Sequence, residues 1–162
     1  MRSMLKPRLA VDSIFDIDFQ PLWDSGYKNM ILDVDNTITA WNTYSVSDKL
    51  KKWVLKLENK GFCICLLSNN NQEKVQQFAS ELGVIAAPRG GKPLLGAFQS
   101  AITALNADHR NTLIIGDQLF TDILGGNRAG LYTILVEPID KKEFIGTRFV
   151  RILENLFTGR SY

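Results

Sequence analysis

Two cysteines, one histidine and five prolines are all that this chain of 162 residues holds of those types. The cysteines, Cys63 and Cys65, lie inside Phe62-Cys63-Ile64-Cys65-Leu66-Leu67. That is not the spacing of a redox pair or a zinc ligand pair. Two residues apart on one strand they cannot close an ordinary disulfide, so both are expected as reduced core residues. The sole histidine, His109, precedes an apolar run in a polar loop and is expected at the surface. No apolar stretch approaches the roughly 20 residues that span a bilayer. The basic start, Met1 to Leu9, is not followed by an apolar h-region, so no secretory leader is expected. A formal charge of +2 supplies no excess of one sign over the surface, and no nucleic acid partner is expected. Hydrophobic content of 45% and charged content of 22% are ordinary for a soluble globular protein, and a cytoplasmic location is expected. The chain has no internal repeat, low-complexity tract or dividing linker, and its length suits one domain over 1–162.

What is present is a set of five short apolar runs. Asn29 to Val34, Phe62 to Leu67, Val84 to Ala87, Thr112 to Ile115 and Tyr132 to Val136 are each bounded by turn formers and read as buried strands. Helices alternate with them. Ser47 is placed to cap a helix from Asp48 to about Asn59, with Leu50, Trp53, Val54 and Leu57 at helical spacing and Gly61 as its stop. Its lysines 49, 51, 52, 56 and 60 fall mostly off that stripe and read as a solvated face, the alternative being a polyanion contact. A second helix runs from about Gln72 to Leu82 with Gly83 as its stop. A third is expected to begin with Pro93 in its first turn and to continue through Leu95, Phe98, Ile102 and Leu105. A short helix is expected around Thr121 to Asn127. The N-terminal arm, 1–27, fits no single period and is expected to lie on the core as irregular chain with a short helix or turn. The C-terminal segment, 143–162, is expected as a helix, with Ile145, Phe149, Ile152, Leu153 and Leu156 on one stripe flanked by Arg148 and Arg151. Strands alternating with helices imply an α/β fold, a doubly wound, Rossmann-like parallel sheet of about five strands with helices on both faces.

The polar residues that matter fall at one end of that sheet. Met30-Ile31-Leu32-Asp33-Val34-Asp35-Asn36-Thr37 runs from an apolar strand into two carboxylates two residues apart. Alternation along a strand starts Asp33 and Asp35 on the same side, where they repel unless a cation or a proton neutralises one. Ser68 follows the second strand, Lys92 opens the third helix, and Asp117 follows the fourth strand. Ligands in such sheets bind beyond the carboxyl ends of the strands, where the strand order switches. The set suits metal-assisted phosphoryl transfer. Asp33 is the candidate nucleophile, able to carry a phosphoryl group as an aspartyl-phosphate. Asp35 is the candidate acid and base. Mg²⁺, which favours a few carboxylates plus substrate phosphate oxygens, is the expected ion, and Asp117 is its further oxygen ligand with Asp122 behind. Ser68, the backbone amides after it including that of Asn69, and Lys92 are candidates to hold the phosphoryl group. Each residue alone has a plainer reading: Ser68 as a loop serine, Lys92 as a surface lysine, Asp117 and Asp122 as helix caps. A calcium loop beginning at Asp33 does not fit, because Ile38 stands where an EF-hand needs glycine and Tyr44 where it needs glutamate.

Asp33-Val34-Asp35-Asn36-Thr37, Ser68-Asn69, Lys92-Pro93 and Gly116-Asp117-Gln118-Leu119-Phe120-Thr121-Asp122 together resemble the four motifs of the haloacid dehalogenase (HAD) superfamily of phosphatases. The Asp-Asn-Thr form of the first motif and the upstream Asp12-Ser13-Ile14-Phe15-Asp16-Ile17-Asp18 resemble subfamily IIIA, and within it the YqeG-like proteins, a group similar to phosphatidylglycerophosphate phosphatases. The resemblance implies Asp33 as nucleophile, Asp35 as acid/base and backbone-carbonyl metal ligand, and Asp117 as metal ligand. It also implies Ser68 and Lys92 on the phosphoryl group, Thr37 in support of the loop, and Asp122 orienting the lysine or a metal-bound water. Many members carry a large cap domain, but here Thr39 to Ser47 leaves only a loop, and Asn70 to Lys92 holds one helix and one strand. An open site is therefore expected. A phosphomonoester is the expected substrate, with phosphatidylglycerophosphate foremost and a soluble sugar or nucleotide phosphate as the alternative. A non-catalytic binding or assembly protein on the same fold is the alternative of another class. Trp41 is placed to pack either on a substrate or on its own domain, and Arg89 to meet a second phosphate or to be an ordinary loop arginine. The tail arginines 148, 151 and 160 offer peripheral contact with anionic lipid, the alternative being a tail helix packed on the sheet.

Overall fold

The computed structural model describes residues 2–88 and 90–140. The Arg89 expectation and the expected helix over 143–162, with its arginines, lie outside the described residues. Five helices, α1 (Phe19–Asp24), α2 (Asp48–Lys60), α3 (Gln72–Leu82), α4 (Leu95–Ala104) and α5 (Leu124–Arg128), accompany six strands. The strands are β1 (Leu9–Val11), β2 (Asn29–Leu32), β3 (Cys63–Leu66), β4 (Ile85–Ala86), β5 (Thr112–Gly116) and β6 (Tyr132–Val136). They form one sheet in the order β1-β6-β5-β2-β3-β4, every neighbouring pair parallel. Strand β2 is central, with β5 on one side and β3 on the other, so the strand order switches at its carboxyl end.

Alternation along the central strands divides the interior in two. Met30, Leu32, Ile64, Leu66, Leu113 and Ile115 face one way, against Leu50, Val54 and Leu57 of α2 and Val75 and Phe78 of α3. Ile31, Cys65 and Ile114 face the other way, against Ala97, Phe98 and Ala101 of α4. Both faces are covered, which is why β2 and β5 read as unbroken apolar runs rather than alternating ones. The Ser47 hydroxyl accepts from the Leu50 N–H at the start of α2, and the left-handed Gly61 and Gly83 end α2 and α3 as expected.

Several expectations needed correcting. The N-terminal arm supplies a sixth strand: Leu9, Ala10 and Val11 pair in register with Ile134, Leu135 and Val136. Three residues on a half-exposed edge carry too little periodicity to announce a strand. Pro93 does not lie in the first turn of a helix, and Lys92 does not open one; both sit in a turn ahead of α4, which begins at Leu95. The expected helix over Thr121 to Asn127 is a π-helical turn, Leu119–Ile123, running into α5. Both cysteines are free, but Cys63 is exposed at the start of β3 and only Cys65 is buried. Among the described residues, no helix is long and apolar enough to cross a membrane.

The arm is pinned by Asn127 of α5. Its side-chain amide donates to the Met4 carbonyl at 2.7 Å and the Lys6 carbonyl at 3.1 Å, while its oxygen accepts from the fully buried Thr133 hydroxyl at 3.0 Å. The change Asn127→Ala takes away the acceptor of that hydroxyl, which keeps the Arg8 N–H, and frees the arm, at a cost of about 1–3 kcal/mol. Urea denaturation is expected to show that loss, and hydrogen exchange is expected to show faster exchange at Leu9–Val11 with α2 unchanged.

Candidate active site

Strand β2 ends at Leu32, so Asp33 and Asp35 both lie beyond it, where strand alternation no longer sets their directions. Asn36, at φ 62°, turns the chain there. The two carboxylates separate into different surroundings, although both are almost wholly buried.

Asp33 is held by one charge and one hydroxyl. Lys92 Nζ donates to its Oδ1 at 2.5 Å, and Thr37 Oγ1 donates to its Oδ2 at 2.8 Å. The same Lys92 Nζ donates to Asp122 Oδ1 at 2.7 Å. Asp122 is fully buried, and its Oδ2 accepts from the Gln118 N–H at 3.1 Å. Gly116 makes room for it: a Cβ at that position would come within 2.3 Å of the Asp122 carboxylate. Asp117, at the end of β5, approaches Thr37 Oγ1 at 3.3 Å. Burial pulls the pKa of Lys92 down, but Asp122 and Asp33 together overcome that and hold it above the ordinary lysine value.

Asp35 sits in a nest of donors. The Asn42 N–H donates to its Oδ1 at 2.9 Å. Ser68 Oγ and Asn70 Nδ2, each at 3.3 Å, and the Tyr44 hydroxyl at 3.4 Å share its Oδ2. Burial, followed by the charge of Asp35, pushes the Tyr44 phenol up to about 12, so it keeps its proton and donates. Asn42, Tyr44 and Asn70 were not singled out from the sequence for the site. The one available signal was an aromatic among polar residues in the loop after the first motif.

The Asn69 side chain, for which the sequence suggested no task, holds the chain around Lys92. Its Oδ1 accepts from the Gly91 N–H at 2.9 Å and the Lys92 N–H at 2.7 Å, and its Nδ2 donates to the Lys92 carbonyl at 2.8 Å. Three bonds from one amide fix the backbone of the lysine. Trp41 and Leu119 are exposed, as are Phe15, Leu94 and Ile139, and all five residues follow the carboxyl ends of strands. A cleft of about 570 Å³ beside Thr37 has a mixed lining, with Asp12, Ser13 and Glu137 among the apolar Ile14, Phe15, Ile38, Pro138 and Ile139. His109 is on the surface as expected, 3.4 Å from Asp108.

The donor set fits a hard divalent cation. Carboxylate oxygens of Asp33, Asp117 and Asp122 lie within 4.8 Å of one another, and among the described residues Lys92 is the one cation paired with this group. Burial, then the charges of Asp33 and Asp122, push the Asp117 carboxyl from 3.8 up to about 8. Burial also raises Asp122, to about 6, against the pull of Lys92. A carboxylate so short of positive charge is a place for a metal ion.

Three comparisons bear on this geometry. The HAD-hydrolase-like family profile matches residues 89–138. The probable phosphatase YqeG of Bacillus subtilis (strain 168) is 34% identical over 154 residues, covering 95% of this chain and 90% of that protein. This chain belongs to the YqeG-like phosphatases of the HAD superfamily. A chloroplastic/mitochondrial phosphatidylglycerophosphate phosphatase 1 of Arabidopsis thaliana is 28% identical, and the match covers 94% of this chain but 47% of that protein. Among solved structures, the N-terminal part of the Bacteroides fragilis protein BF1531, containing a phosphatase domain complexed with Mg, superposes with a TM-score of 0.54 at 18% identity, covering 79% of this chain and 40% of that one. It shares the HAD-like fold.

The raised carboxyls have a sign that can be checked. With folded values above the ordinary carboxylate range, Asp117 and Asp122 hold protons in the folded protein that the unfolded chain releases. Stability of the chelator-treated protein is therefore expected to fall as pH rises from about 4 to about 8. Thermal unfolding at pH 5 and pH 8.5 tests this. The expected outcome is a lower midpoint at pH 8.5, recovered by millimolar Mg²⁺, with the pH slope flattened in Asp117→Asn.

Proposed function

We propose that this protein is a Mg²⁺-dependent phosphatase that hydrolyses a phosphomonoester through an aspartyl-phosphate on Asp33. The observation that carries the reading is the single ammonium of Lys92 placed between Asp33 and Asp122, beside an unneutralised Asp117. One Asp33 carboxylate oxygen attacks phosphorus as the bond to the leaving oxygen breaks. Asp35 gives its proton to that oxygen. Asp35 then takes a proton from the water that attacks the aspartyl-phosphate, releasing inorganic phosphate and restoring Asp33. Lys92, the Ser68 hydroxyl and the Asn69 N–H hold the phosphoryl oxygens. Asp122 orients the lysine and Thr37 orients Asp33. Asp33, the Asp35 backbone carbonyl and Asp117 would hold Mg²⁺, which supplies neutralisation of the phosphate's negative charge toward an anionic nucleophile.

The substrate we infer is a phosphomonoester on a lipid, phosphatidylglycerophosphate foremost. The related Arabidopsis enzyme carries that name. Among the described residues no cap separates the site from a large substrate: residues 40–47 form only a loop, and residues 70–88 hold α3 and β4. The exposed Phe15, Trp41, Leu94, Leu119 and Ile139 suit an amphiphile. This reading makes the protein cytoplasmic and a peripheral visitor to the membrane surface.

Hydrolysis of p-nitrophenyl phosphate that requires Mg²⁺, and that falls by at least about 1,000-fold in Asp33→Asn, is the expected result for loss of a covalent nucleophile. Equal rates for the two proteins would leave a binding or assembly role. On a substrate panel, phosphatidylglycerophosphate in mixed micelles is expected to exceed sugar and nucleotide phosphates in kcat/KM. The reverse order sinks the lipid assignment.

A further inference from the structure

The loop over residues 40–46 contains two residues in the left-handed region, Asn42 at φ 53° and Tyr44 at φ 45°. Asparagine visits that region readily, whereas a tyrosine there is an outlier held by its surroundings. The turns put the Asn42 N–H on one oxygen of Asp35 and the Tyr44 hydroxyl beside the other. The Tyr44 ring is fixed from behind, edge-on to the buried Phe78 of α3 with centroids 6.1 Å apart.

Three side chains crowd Asp35 Oδ2, at 3.3, 3.3 and 3.4 Å, each too far for a strong bond. One of them, Ser68, has other work when a phosphoryl group is present. Its departure leaves Tyr44 and Asn70 to close on that oxygen, as hydrogen bonds in ligand-free sites commonly do once substrate binds. The Asn42 N–H on Oδ1 can only donate, whereas the Tyr44 hydroxyl beside Oδ2 can rotate to accept, so Oδ2 is the oxygen placed to carry the proton that Asp35 gives away. We propose that Tyr44 is a positioning residue for proton transfer: its hydroxyl aims Asp35 Oδ2 at the leaving oxygen and donates to the carboxylate formed when the proton departs. No other atom is exchanged: the proton passes from Asp35 to the leaving oxygen, and the tyrosine keeps its own. This rests on the reading of Asp35 as the acid.

The test separates leaving groups. In Tyr44→Phe, the ring and its contact with Phe78 stay and only the hydroxyl goes. For an alkyl ester such as glycerol 3-phosphate, whose leaving oxygen needs a proton, kcat/KM is expected to fall by about 10-fold or more, within the range that general acids contribute. For p-nitrophenyl phosphate, whose leaving group departs as a stable anion, kcat/KM is expected to stay within about 2-fold of the unaltered protein. Tyr44→His, which keeps a ring and a donor, is expected to retain more alkyl-ester activity than Tyr44→Phe. In an Asp35→Asn background the Tyr44→Phe loss is expected to vanish. Equal losses on both esters, or an unchanged alkyl-ester rate in a protein that melts normally, overturn the proposal. If Asp35→Asn lowers kcat/KM, which reports the step before the shared aspartyl-phosphate, equally for both esters, the acid reading of Asp35 fails, and this proposal fails with it. Activity of both single variants that stays dependent on Asp33 keeps the phosphatase reading apart from either outcome.

Discussion

One buried ammonium organises the catalytic edge. Lys92 reaches Asp33 and Asp122 with almost none of its own surface exposed, and both carboxylates are buried with it. Removing one member of such a group leaves an uncompensated charge in a poorly solvated place, which is far more costly than never having built it. The surrounding chain reflects that constraint. Asn69 holds the lysine backbone, Gln118 satisfies the second oxygen of Asp122, and the absence of a Cβ at Gly116 lets Asp122 lie against β5. Even so one ammonium serves three carboxyls among the described residues, and the pKa of Asp117, the third, is pushed up to about 8.

The two carboxylates of the first motif begin as near neighbours in sequence and end with different company. Asp33 is paired to a cation, and Asp35 to four neutral donors from two loops of the chain. A charge partner and a set of neutral dipoles act differently on a carboxyl. The first sets a full charge against it, whereas the second surrounds it with dipoles alone. Different tasks for two side chains of one type thus follow from their surroundings.

The strands that line the catalytic edge were legible because each is buried on both faces and so appears as a continuous apolar run ending in a polar residue. Asp33, Ser68 and Asp117 could be placed at one edge from that alone, before any family resemblance. The Ser47 cap and the Gly61 and Gly83 stops were legible for a local reason, since each acts within its own turn. What could not be read depends on partners distant in sequence. Strand β1 exists because its partners in β6, 125 residues further on, receive it, beside an Asn127 that looks like any amide near a helix end. The Asn69 clamp joins residues 23 apart. Tyr44 meets Asp35 only because the chain between them turns through two left-handed residues, which a sequence pattern does not record.

The Asn69 clamp has a consequence for recognition. Because its three bonds tie the end of β3 to the lysine, Ser68 and Lys92 are held in one rigid frame before any ligand arrives. A preorganised frame of this kind needs no closing motion to assemble, and it treats every phosphate monoester alike. Discrimination among substrates is thereby handed to the loops outside the frame, so the rim can diverge between relatives while the centre stays the same.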